Sequence, residues 1–237
     1  MMQTQLARKA ADVLSFRTPA LWRAVQAGCN GYYALRPAAR RKIFERIHAS
    51  NHWGDAESLS GGGSNLDETA ALREALPGLF ERHGIRTLLD IPCGDFHWMQ
   101  HLTQHLDRYI GGDIVPALVQ DVRSRHAGPG RDFLIFDLVT DDLPRADAVL
   151  CRDVFIHLSE RDVKAALTRI KASGAEWLLT TTYPDHENQE IITGAWRPIN
   201  LQAEPYNLPV PVELINERTQ DKEFVDRSVG LWRVSVI

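Results

Sequence analysis

The chain has 237 residues, of which 44% are hydrophobic and 24% are charged. These proportions are ordinary for a globular protein that can bury a sizeable core, and no apolar run approaches the roughly 18 residues of a membrane span. Three cysteines (Cys29, Cys93 and Cys151), with no Cys-x-x-Cys pair, offer neither a disulfide framework nor a zinc knuckle. We therefore expect a cytoplasmic protein, and the charged residues near the N-terminus argue against a signal peptide.

The net charge of −4 conceals an asymmetry between the ends of the chain. Residues 1–50 carry nine Lys and Arg against two acidic residues, whereas the remainder carries 18 basic and 29 acidic side chains. Such a basic N-terminal arm can dock on the acidic body, on an acidic partner or on anionic lipid as a peripheral contact, or it can form a solvated helix face. The acidic body argues against nucleic acid as a partner, because phosphate neutralisation needs a broad basic surface.

Residues 1–80 are predicted to form a helical N-terminal extension that includes a lid. The helical pattern is weak over residues 1–35, and a clearer helix begins at Pro37 and ends near residues 51–54. The next ten residues contain three consecutive glycines and are flexible by composition, but no strand precedes them, so they do not form a phosphate-binding P-loop. Ser64 and Asp67 predict a capping box for the next helix, which the pattern ends at Pro77.

Residues 81–237 are predicted to form one α/β domain, because apolar runs of strand length alternate with helical patterns. The predicted strands lie at 85–91, 109–112, 133–136, 146–151 and 177–182, and the predicted helices at 96–106, 116–122 and 159–173. This alternation favours a doubly wound, mostly parallel sheet. Four prolines exclude regular structure across 197–211, and two further strands are expected at 212–215 and 229–236.

The strongest chemical signal lies in the first strand–helix–strand unit, at residues 85–114. Its first strand ends in a tight turn at 92–95, and its second ends on Asp113, 19 residues beyond Gly94. In a right-handed crossover this carboxylate stands beside the turn, where it can accept hydrogen bonds from ribose hydroxyls. The turn lacks the second and third glycines of a dinucleotide motif, and Asp90 and Asp95 would repel a diphosphate. Two carboxylates suit a ligand with an ammonium and a sulfonium, which is S-adenosylmethionine.

At Asp90, Cys93 and Gly94 the sequence resembles the class I (Rossmann-like) S-adenosylmethionine-dependent methyltransferases, whose first motif is roughly acidic-x-Gly-x-Gly-x-Gly. Pro92 and Phe96 stand where two of the glycines would be, and a variant that begins Asp-x-Pro-Cys-Gly also occurs in the family. The resemblance implies a seven-stranded sheet with an antiparallel C-terminal edge hairpin, S-adenosylmethionine as cofactor, and a lid before the motif. It covers residues 85–182 well and the tail loosely.

The candidate site is expected at the strand tips, because ligands of such sheets lie beyond the carboxyl ends of the strands. The resemblance implies that Asp113 binds the ribose, that Asp137 binds the adenine amino group, and that Arg73 pairs with the methionine carboxylate. The predicted cofactor-binding residues are Trp53, Arg73, Asp90, Pro92, Cys93, Gly94, Asp95, Asp113, Ile114, Asp137, Leu138 and Arg152.

Two residues after the fourth strand are candidates for catalysis. Asp153 and His157 are spaced i and i+4, so on a helix they would share a face and could deprotonate a neutral hydroxyl together. A packing role for His157 and a structural contact for Asp153 are the alternatives. In the segment 183–211 the predicted substrate-binding residues are Tyr183, Arg197, Asn200 and Asn207, a mixture that suits a polyhydroxylated or carboxylated acceptor.

The predicted function is O-methylation, with N-methylation second, of a small molecule or a sugar or glycan. The alternatives are a Rossmann oxidoreductase with a nicotinamide cofactor and a non-catalytic module that retains the nucleoside pocket. No metal is expected. His97, His101 and His105 fall at helical spacing and could bind zinc, but no Cys or acidic ligand is grouped with them, which favours a solvated stripe. The oligomeric state is left open.

Overall fold

The computed structural model describes residues 24–29 and 37–237, and a seven-stranded sheet runs through the latter range. The strands are β1 (Thr87–Asp90), β2 (Arg108–Asp113), β3 (Arg131–Ile135), β4 (Ala148–Cys151), β5 (Trp177–Thr182), β6 (Glu213–Asn216) and β7 (Ser228–Arg233). Their order is β3-β2-β1-β4-β5-β7-β6. The first five are parallel, and β7 pairs antiparallel with both β5 and β6. The predicted fold class is confirmed, including the antiparallel edge hairpin.

Helices cover both faces of this sheet. They are α1 (Pro37–Ala49), α2 (Ala70–Arg82), α3 (Pro116–His126) and α4 (Glu160–Ala172). Adjacent residues of β1 point to opposite faces, so Leu88 packs in the apolar cluster of α2 and α3, whereas Leu89 packs in the cluster of α4. A strand covered on both sides is apolar at every position, which is why the sequence shows continuous apolar runs here.

The chain between β1 and β2 differs from the predicted helix at 96–106, and this prediction is wrong. Phe96 has φ 61°, a left-handed conformation that an α-helix cannot contain, and two 3₁₀ turns follow at Met99–His101 and Thr103–His105. The Phe96 ring packs against Tyr109 and Phe133, with ring centroids 5.0 Å away in each case. The buried aromatic packing thus overrides the helical pattern. The three histidines of this segment therefore do not share one helix face.

Helix α2 also departs from the predicted boundaries. It begins at Ala70, after an N-cap residue, Thr69, whose side chain makes no capping bond, and it continues through Pro77 to Arg82. A proline inside a helix removes one backbone donor. Four buried apolar side chains of α2, both before and after the proline, belong to one core cluster, and their burial offsets that loss. The predicted cap of α4 is confirmed, since the Ser159 hydroxyl accepts a bond from the Asp162 amide.

Part of the basic N-terminal arm docks on the acidic body. Arg40 of α1 is 2% exposed and pairs with Asp137 and Asp162, and in the helical segment 24–29 Gln26 donates to the Glu190 carbonyl at 2.8 Å. The remainder of the predicted 1–35 segment lies outside the described residues. Of the helices described, none is long and apolar enough to cross a membrane.

Candidate active site

A cavity of about 400 Å³ opens at the carboxyl ends of the parallel strands. The chain runs outward from β1 to β2 and β3 on one side and to β4 and β5 on the other, and a crevice at such a reversal is the usual ligand site. The predicted site residues that line the cavity are Trp53, Asp90, Pro92, Cys93, Gly94, Asp95, Asp113, Ile114, Asp137, Leu138, Arg152, Asp153, His157 and Tyr183. The cavity therefore lies where the sequence predicts the site, at the tips of the strands.

Four predicted site residues do not line the cavity. Three of them bond to backbone carbonyls, and the fourth is exposed on the surface. Arg73 donates to the Leu66 carbonyl at 2.7 Å, which ties α2 to the loop before it. Asn200 donates to the Pro184 carbonyl at 2.7 Å, and Asn207 is exposed on the surface. Arg197 is buried against backbone carbonyls. The geometry therefore does not support Arg73 as a carboxylate partner, nor the last three as residues that contact a substrate.

Two buried carboxylates lie side by side at the tips of β1 and β2. The Tyr109 hydroxyl donates to Asp90 at 2.6 Å, and the Val115 amide donates to Asp113 at 2.9 Å. Neither carboxylate forms an ion pair within the described part of the chain. Burial raises the pKa of Asp90 to about 7 and that of Asp113 to about 6. A cationic group placed beside them would favour their ionised forms, so this end of the cavity is suited to a positively charged ligand.

At the tip of β3, Asp137 meets α1. One of its oxygens accepts from the Val139 amide at 3.0 Å, and the other accepts from Arg40 at 3.0 Å. Arg40 also reaches Asp162, at 3.4 Å. A carboxylate oxygen has a second lone pair, so Asp137 can still accept one more hydrogen bond from a ligand. Arg40, together with Phe44 from the same helix, closes this end of the cavity.

The glycine-containing loop at residues 58–64 lies across the turn after β1. The Asp95 carboxylate accepts from the Leu59 amide at 2.8 Å and from the Ser58 hydroxyl at 3.0 Å. At the far end of the loop, Arg152 donates to the Gly63 carbonyl at 2.6 Å. A Cβ atom on Gly94 would stand only 2.1 Å from the Ser60 hydroxyl oxygen. Asp95 and Arg152 thus fasten the loop that covers the cavity.

Asp153 lies after β4 within a charged network. Its carboxylate accepts from the Thr181 hydroxyl at 3.1 Å and from Arg227, and Arg152 stands 3.4 Å away. Burial alone would raise its pKa, but the neighbouring Arg227 and Arg152 hold the pKa below its usual value. Arg152 and Arg227 also face the buried Glu217. Asp153 is therefore an ionised group whose oxygens are already bonded, which suits a structural contact better than proton abstraction.

His157 lies in a 3₁₀ turn, Phe155–His157, and not on a helix shared with Asp153. Its Nδ1 is 2.9 Å from the Ala195 carbonyl. A carbonyl can only accept, so Nδ1 carries the proton and Nε2 keeps its lone pair. Burial lowers the pKa of His157 below its ordinary 6.5, which keeps the ring neutral at pH 7, while Ala195 and Asp153 act in the opposite direction. The Trp53 ring lies 5.0 Å away, tilted by 30°.

Aromatic rings form the wall of the cavity beyond β5. Tyr183 contacts Phe224 edge-on with ring centroids 5.8 Å apart, and Trp196 contacts Phe224 in the same way at 5.0 Å. Burial raises the pKa of Tyr183, so its phenol remains a neutral donor. This aromatic wall lines the same cavity as His157 and also contains the hydroxyl group of Tyr183.

Solved structures with a similar fold include three methyltransferases. The methyltransferase domain of a bacterial CtHen1 has a TM-score of 0.52 and 16% identity, and the match covers 71% of this chain and 100% of that chain. The N-methyltransferase NodS from Bradyrhizobium japonicum WM9 has a TM-score of 0.54 and 14% identity, over 72% and 98%. Human N-acetylserotonin methyltransferase, in complex with SAM, has a TM-score of 0.50 and 13% identity, over 85% and 68%. At these identities the likeness shows the fold. Among curated proteins, none matches the chain significantly.

The sequence itself supplies the decisive match. Residues 89–173 match the family described as a methyltransferase domain, and this stretch extends from β1 into the end of α4. These 85 of the 237 residues form a methyltransferase domain, within a sheet of the class I (Rossmann-like) type. Its cofactor is S-adenosylmethionine, and the alternatives of a nicotinamide-dependent oxidoreductase and a non-catalytic nucleoside-binding module are set aside.

The residues of the methyltransferase cavity suit this cofactor. Asp113 retains an oxygen that the Val115 amide does not use, and the apolar side chains of Leu118 and Leu138 line the same cavity. Ribose hydroxyls need such an acceptor, and a purine ring needs such an apolar slot. Asp90 and Asp113 together offer negative charge to the cationic groups of the cofactor. When bound, S-adenosylmethionine supplies a methyl group on a positively charged sulfur.

Several residues of the methyltransferase site escape sequence reasoning. Arg227 and Phe224 come from the tail and reach the cavity only through the fold. Arg40 gives no signal in the sequence beyond its positive charge. The three consecutive glycines did mark the covering loop, but nothing in their pattern indicates that Asp95 holds it.

Proposed function

We propose that this methyltransferase transfers the methyl group of S-adenosylmethionine to a hydroxyl group of a small molecule or of a sugar or glycan, with His157 as the general base. The observation that carries this proposal is the fixed, neutral imidazole of His157 in the cavity wall. Its Nδ1–H is bonded to the Ala195 carbonyl, which leaves the Nε2 lone pair to accept a proton.

A neutral hydroxyl needs such a base, whereas an already ionised acceptor does not. His157 would accept the hydroxyl proton at Nε2 and pass it to solvent, while bound S-adenosylmethionine would supply the methyl group to the acceptor oxygen and leave as S-adenosylhomocysteine. Positioning and exclusion of water supply the rest of the rate enhancement, and the loop at 58–64 provides cover from one side. An already ionised acceptor would gain nothing from His157, so its placement favours hydroxyl chemistry.

The charges around the acceptor end favour an uncharged acceptor. Arg152 and Arg227 are cationic, but they face the carboxylates of Asp153 and Glu217 at short range. A carboxylated acceptor would have to displace one of these pairs at a cost in buried charge. Trp196, which is 44% exposed, gives the aromatic wall of the cavity a flat face that suits a sugar ring or an aromatic ring. We therefore favour the polyhydroxylated acceptor over the carboxylated one.

The assignment of residues 1–80 as an extension and lid is supported by α1 and the loop at 58–64. Both precede residue 81, and both line the cavity. The burial of Arg40 against Asp137 supports docking of at least part of the basic arm on the body rather than on anionic lipid. The free cysteines Cys29, Cys93 and Cys151 are compatible with the proposed cytoplasmic location.

A product-mass screen tests the acceptor class. The purified protein would be incubated with S-adenosylmethionine and matched sets of hydroxylated, aminated and carboxylated small molecules and glycans, and products would be sought that gain the mass of one methylene. We expect gains on hydroxyl compounds that are lost in His157→Gln. Methylation confined to amines or carboxylates, at a rate that His157→Gln leaves unchanged, would contradict the proposal.

A further inference from the structure

The turn that carries His157 is held by bonds from outside in addition to its own two, in which the His157 amide donates to the Val154 carbonyl at 3.0 Å and the Leu158 amide donates to the Phe155 carbonyl at 3.2 Å. A 3₁₀ turn of three residues is a weak element by itself. The backbone of the segment 194–197 runs alongside it, so that the Gly194 amide donates to the His157 carbonyl at 2.8 Å and the Arg197 amide donates to the Ile156 carbonyl at 3.0 Å. The Ala195 carbonyl of the same segment accepts from the His157 ring.

The side chain of Arg197 completes this clamp. It is 3% exposed, and its Nη1 donates to the Phe155 carbonyl at 2.7 Å while its Nη2 donates to the Leu158 carbonyl at 3.0 Å. Four successive carbonyls, those of residues 155–158, therefore accept a bond from the segment 194–197. The Tyr206 hydroxyl, 2.9 Å from Nη2, lies against the guanidinium. Only a planar group with several donors can bridge two carbonyls in this way.

We infer that Arg197 is a positioning residue for methyl transfer, which fixes the His157 turn so that Nδ1 stays on Ala195 and Nε2 is presented to the acceptor. This inference rests on the proposed role of His157 as the base. It also gives a function to a residue predicted to touch the substrate, since Arg197 acts through the turn without lining the cavity.

The positive charge of Arg197 also supports the role of His157 as a base, because it lowers the pKa of the ring. The charged and titratable groups that act on His157 are Asp153 from the tip of β4, Arg197 from the clamp and His52 from the loop after α1. Asp153 raises the pKa of His157, whereas Arg197 and His52 lower it, after the larger effect of burial. Removal of the Arg197 cation should therefore raise the pKa of the ring and lower the fraction of neutral base near pH 6.

Three substitutions separate positioning from stability. Arg197→Met keeps the length of the side chain but removes every donor, and Arg197→Lys keeps the charge but cannot bridge both carbonyls. Arg169→Met, at a half-exposed arginine on α4 that pairs with Asp142, is the matched control. A misplaced catalytic group costs about 10²-fold in rate. We expect that loss in the kcat of Arg197→Met on a hydroxyl acceptor, a smaller loss in Arg197→Lys, and unchanged KM and unchanged affinity for S-adenosylhomocysteine in both.

A spectroscopic readout decides the matter without any acceptor. Nitrogen-15 NMR of the His157 ring, assigned with His157→Gln, should show the Nδ1–H tautomer in the wild type and in Arg169→Met. In Arg197→Met it should show a mixture of tautomers and a higher pKa. An unchanged His157 signal in a folded Arg197→Met would overturn the inference. If Arg197→Met does not fold, Arg197→Lys decides in the same way, because loss of the bridge alone should already disturb the tautomer. A disturbed signal combined with full activity in His157→Gln would instead contradict the proposed base and leave the clamp standing.

Discussion

The two halves of the cavity differ in how their charges are balanced. In the cofactor half, neither Asp90 nor Asp113 forms an ion pair within the part of the chain that the structure describes, and burial raises the pKa of both. In the acceptor half, Asp153 is held ionised by Arg227 and Arg152, and its pKa is lowered despite its burial. One half is arranged to gain a cation, and the other is already neutralised. The difference accounts for a cationic cofactor at one end and, under the proposed function, for an uncharged hydroxyl acceptor at the other.

The largest expected effect is the loss of cofactor binding when the turn in the cofactor half is blocked. Gly94 has φ 53°, and a Cβ there would stand 2.1 Å from the Ser60 hydroxyl oxygen, so Gly94→Leu should displace the covering loop and block the turn. We expect no measurable binding of S-adenosylhomocysteine by calorimetry. Gly84→Leu is the matched control, because Gly84 has φ 64° with no atom within 4 Å of the added Cβ. Equal binding by both variants would show that the turn does not approach the cofactor.

The next largest effect is a loss of catalytic rate, with cofactor binding retained, when His157 in the acceptor half is replaced. His157→Gln should lower kcat on a hydroxyl acceptor by about 10²–10⁴-fold, which is the usual contribution of a general base. The affinity for S-adenosylhomocysteine should remain unchanged, since the contacts of the His157 ring are with Ala195 and Trp53 and not with Asp90 or Asp113 within the described residues. His101→Gln, at an exposed histidine, serves as the control. A parallel loss of cofactor affinity would mean that the two halves are not separable.

A smaller effect, a partial loss of cofactor affinity, tests whether Asp113 binds the ribose in the cofactor half. Asp113→Ala removes a charged acceptor, and hydrogen bonds to charged groups contribute about 1.5–3 kcal/mol, which is a loss of roughly 10- to 150-fold in affinity. Asp132→Ala, at a half-exposed carboxylate of β3 that pairs with Arg108, should leave the affinity unchanged. Calorimetry with S-adenosylhomocysteine compares the two. Identical affinities would remove Asp113 from the ribose site.

The raised pKa of Asp90 predicts a dependence of stability on pH. Because the pKa is about 7 in the folded protein and 3.8 ordinarily, the protonated carboxyl favours the folded state. That contribution is complete below about pH 4 and is lost as the pH rises through 7. Asp90→Asn removes it, so the Tm of the variant relative to wild type should increase between pH 5 and pH 8. A constant difference in Tm would show that Asp90 is ionised in the folded protein throughout this range.

The smallest expected effect is none at all, on removal of divalent cations. Within the described residues, no group of three His, Cys, Asp or Glu side chains is placed to hold a metal ion, and the acceptor-side carboxylate Asp153 is bonded to arginines. We expect EDTA to leave methyl transfer unchanged. Loss of activity in EDTA with recovery on addition of Mg²⁺ would give the acceptor half a different chemistry.

The two halves also differ in how far the sequence predicts them. The cofactor half consists of strand tips, and parallel strands place their carboxyl ends at one edge of the sheet, so Asp90, Asp113 and Asp137 could be located by position alone. The same reasoning gave the order of strands and helices after residue 108. It failed at 96–106, since a left-handed Phe96 that packs among aromatic rings leaves no mark in a periodic pattern.

The acceptor half depends on contacts between distant parts of the chain. Arg227 reaches Asp153 across 74 positions, and Ala195 reaches His157 across 38. The segment 183–211 predicts Arg197 as a substrate-binding residue, but its donors face backbone carbonyls. Local patterns identify which polar groups are present in a loop and do not indicate whether each one faces the cavity or the scaffold.

The central claim is that a neutral His157 acts as the base, and a pH–rate profile of wild type beside His157→Gln tests it most directly. Burial lowers the pKa of His157 below 6.5, and a base acts only when it is deprotonated. With a hydroxyl acceptor and saturating cofactor, the wild-type rate should therefore rise through an apparent pKa below 6.5 and reach a plateau by neutral pH. The rate of His157→Gln should be lower throughout and show no such rise. A flat wild-type profile, with full activity in His157→Gln and unchanged cofactor binding, would contradict the account.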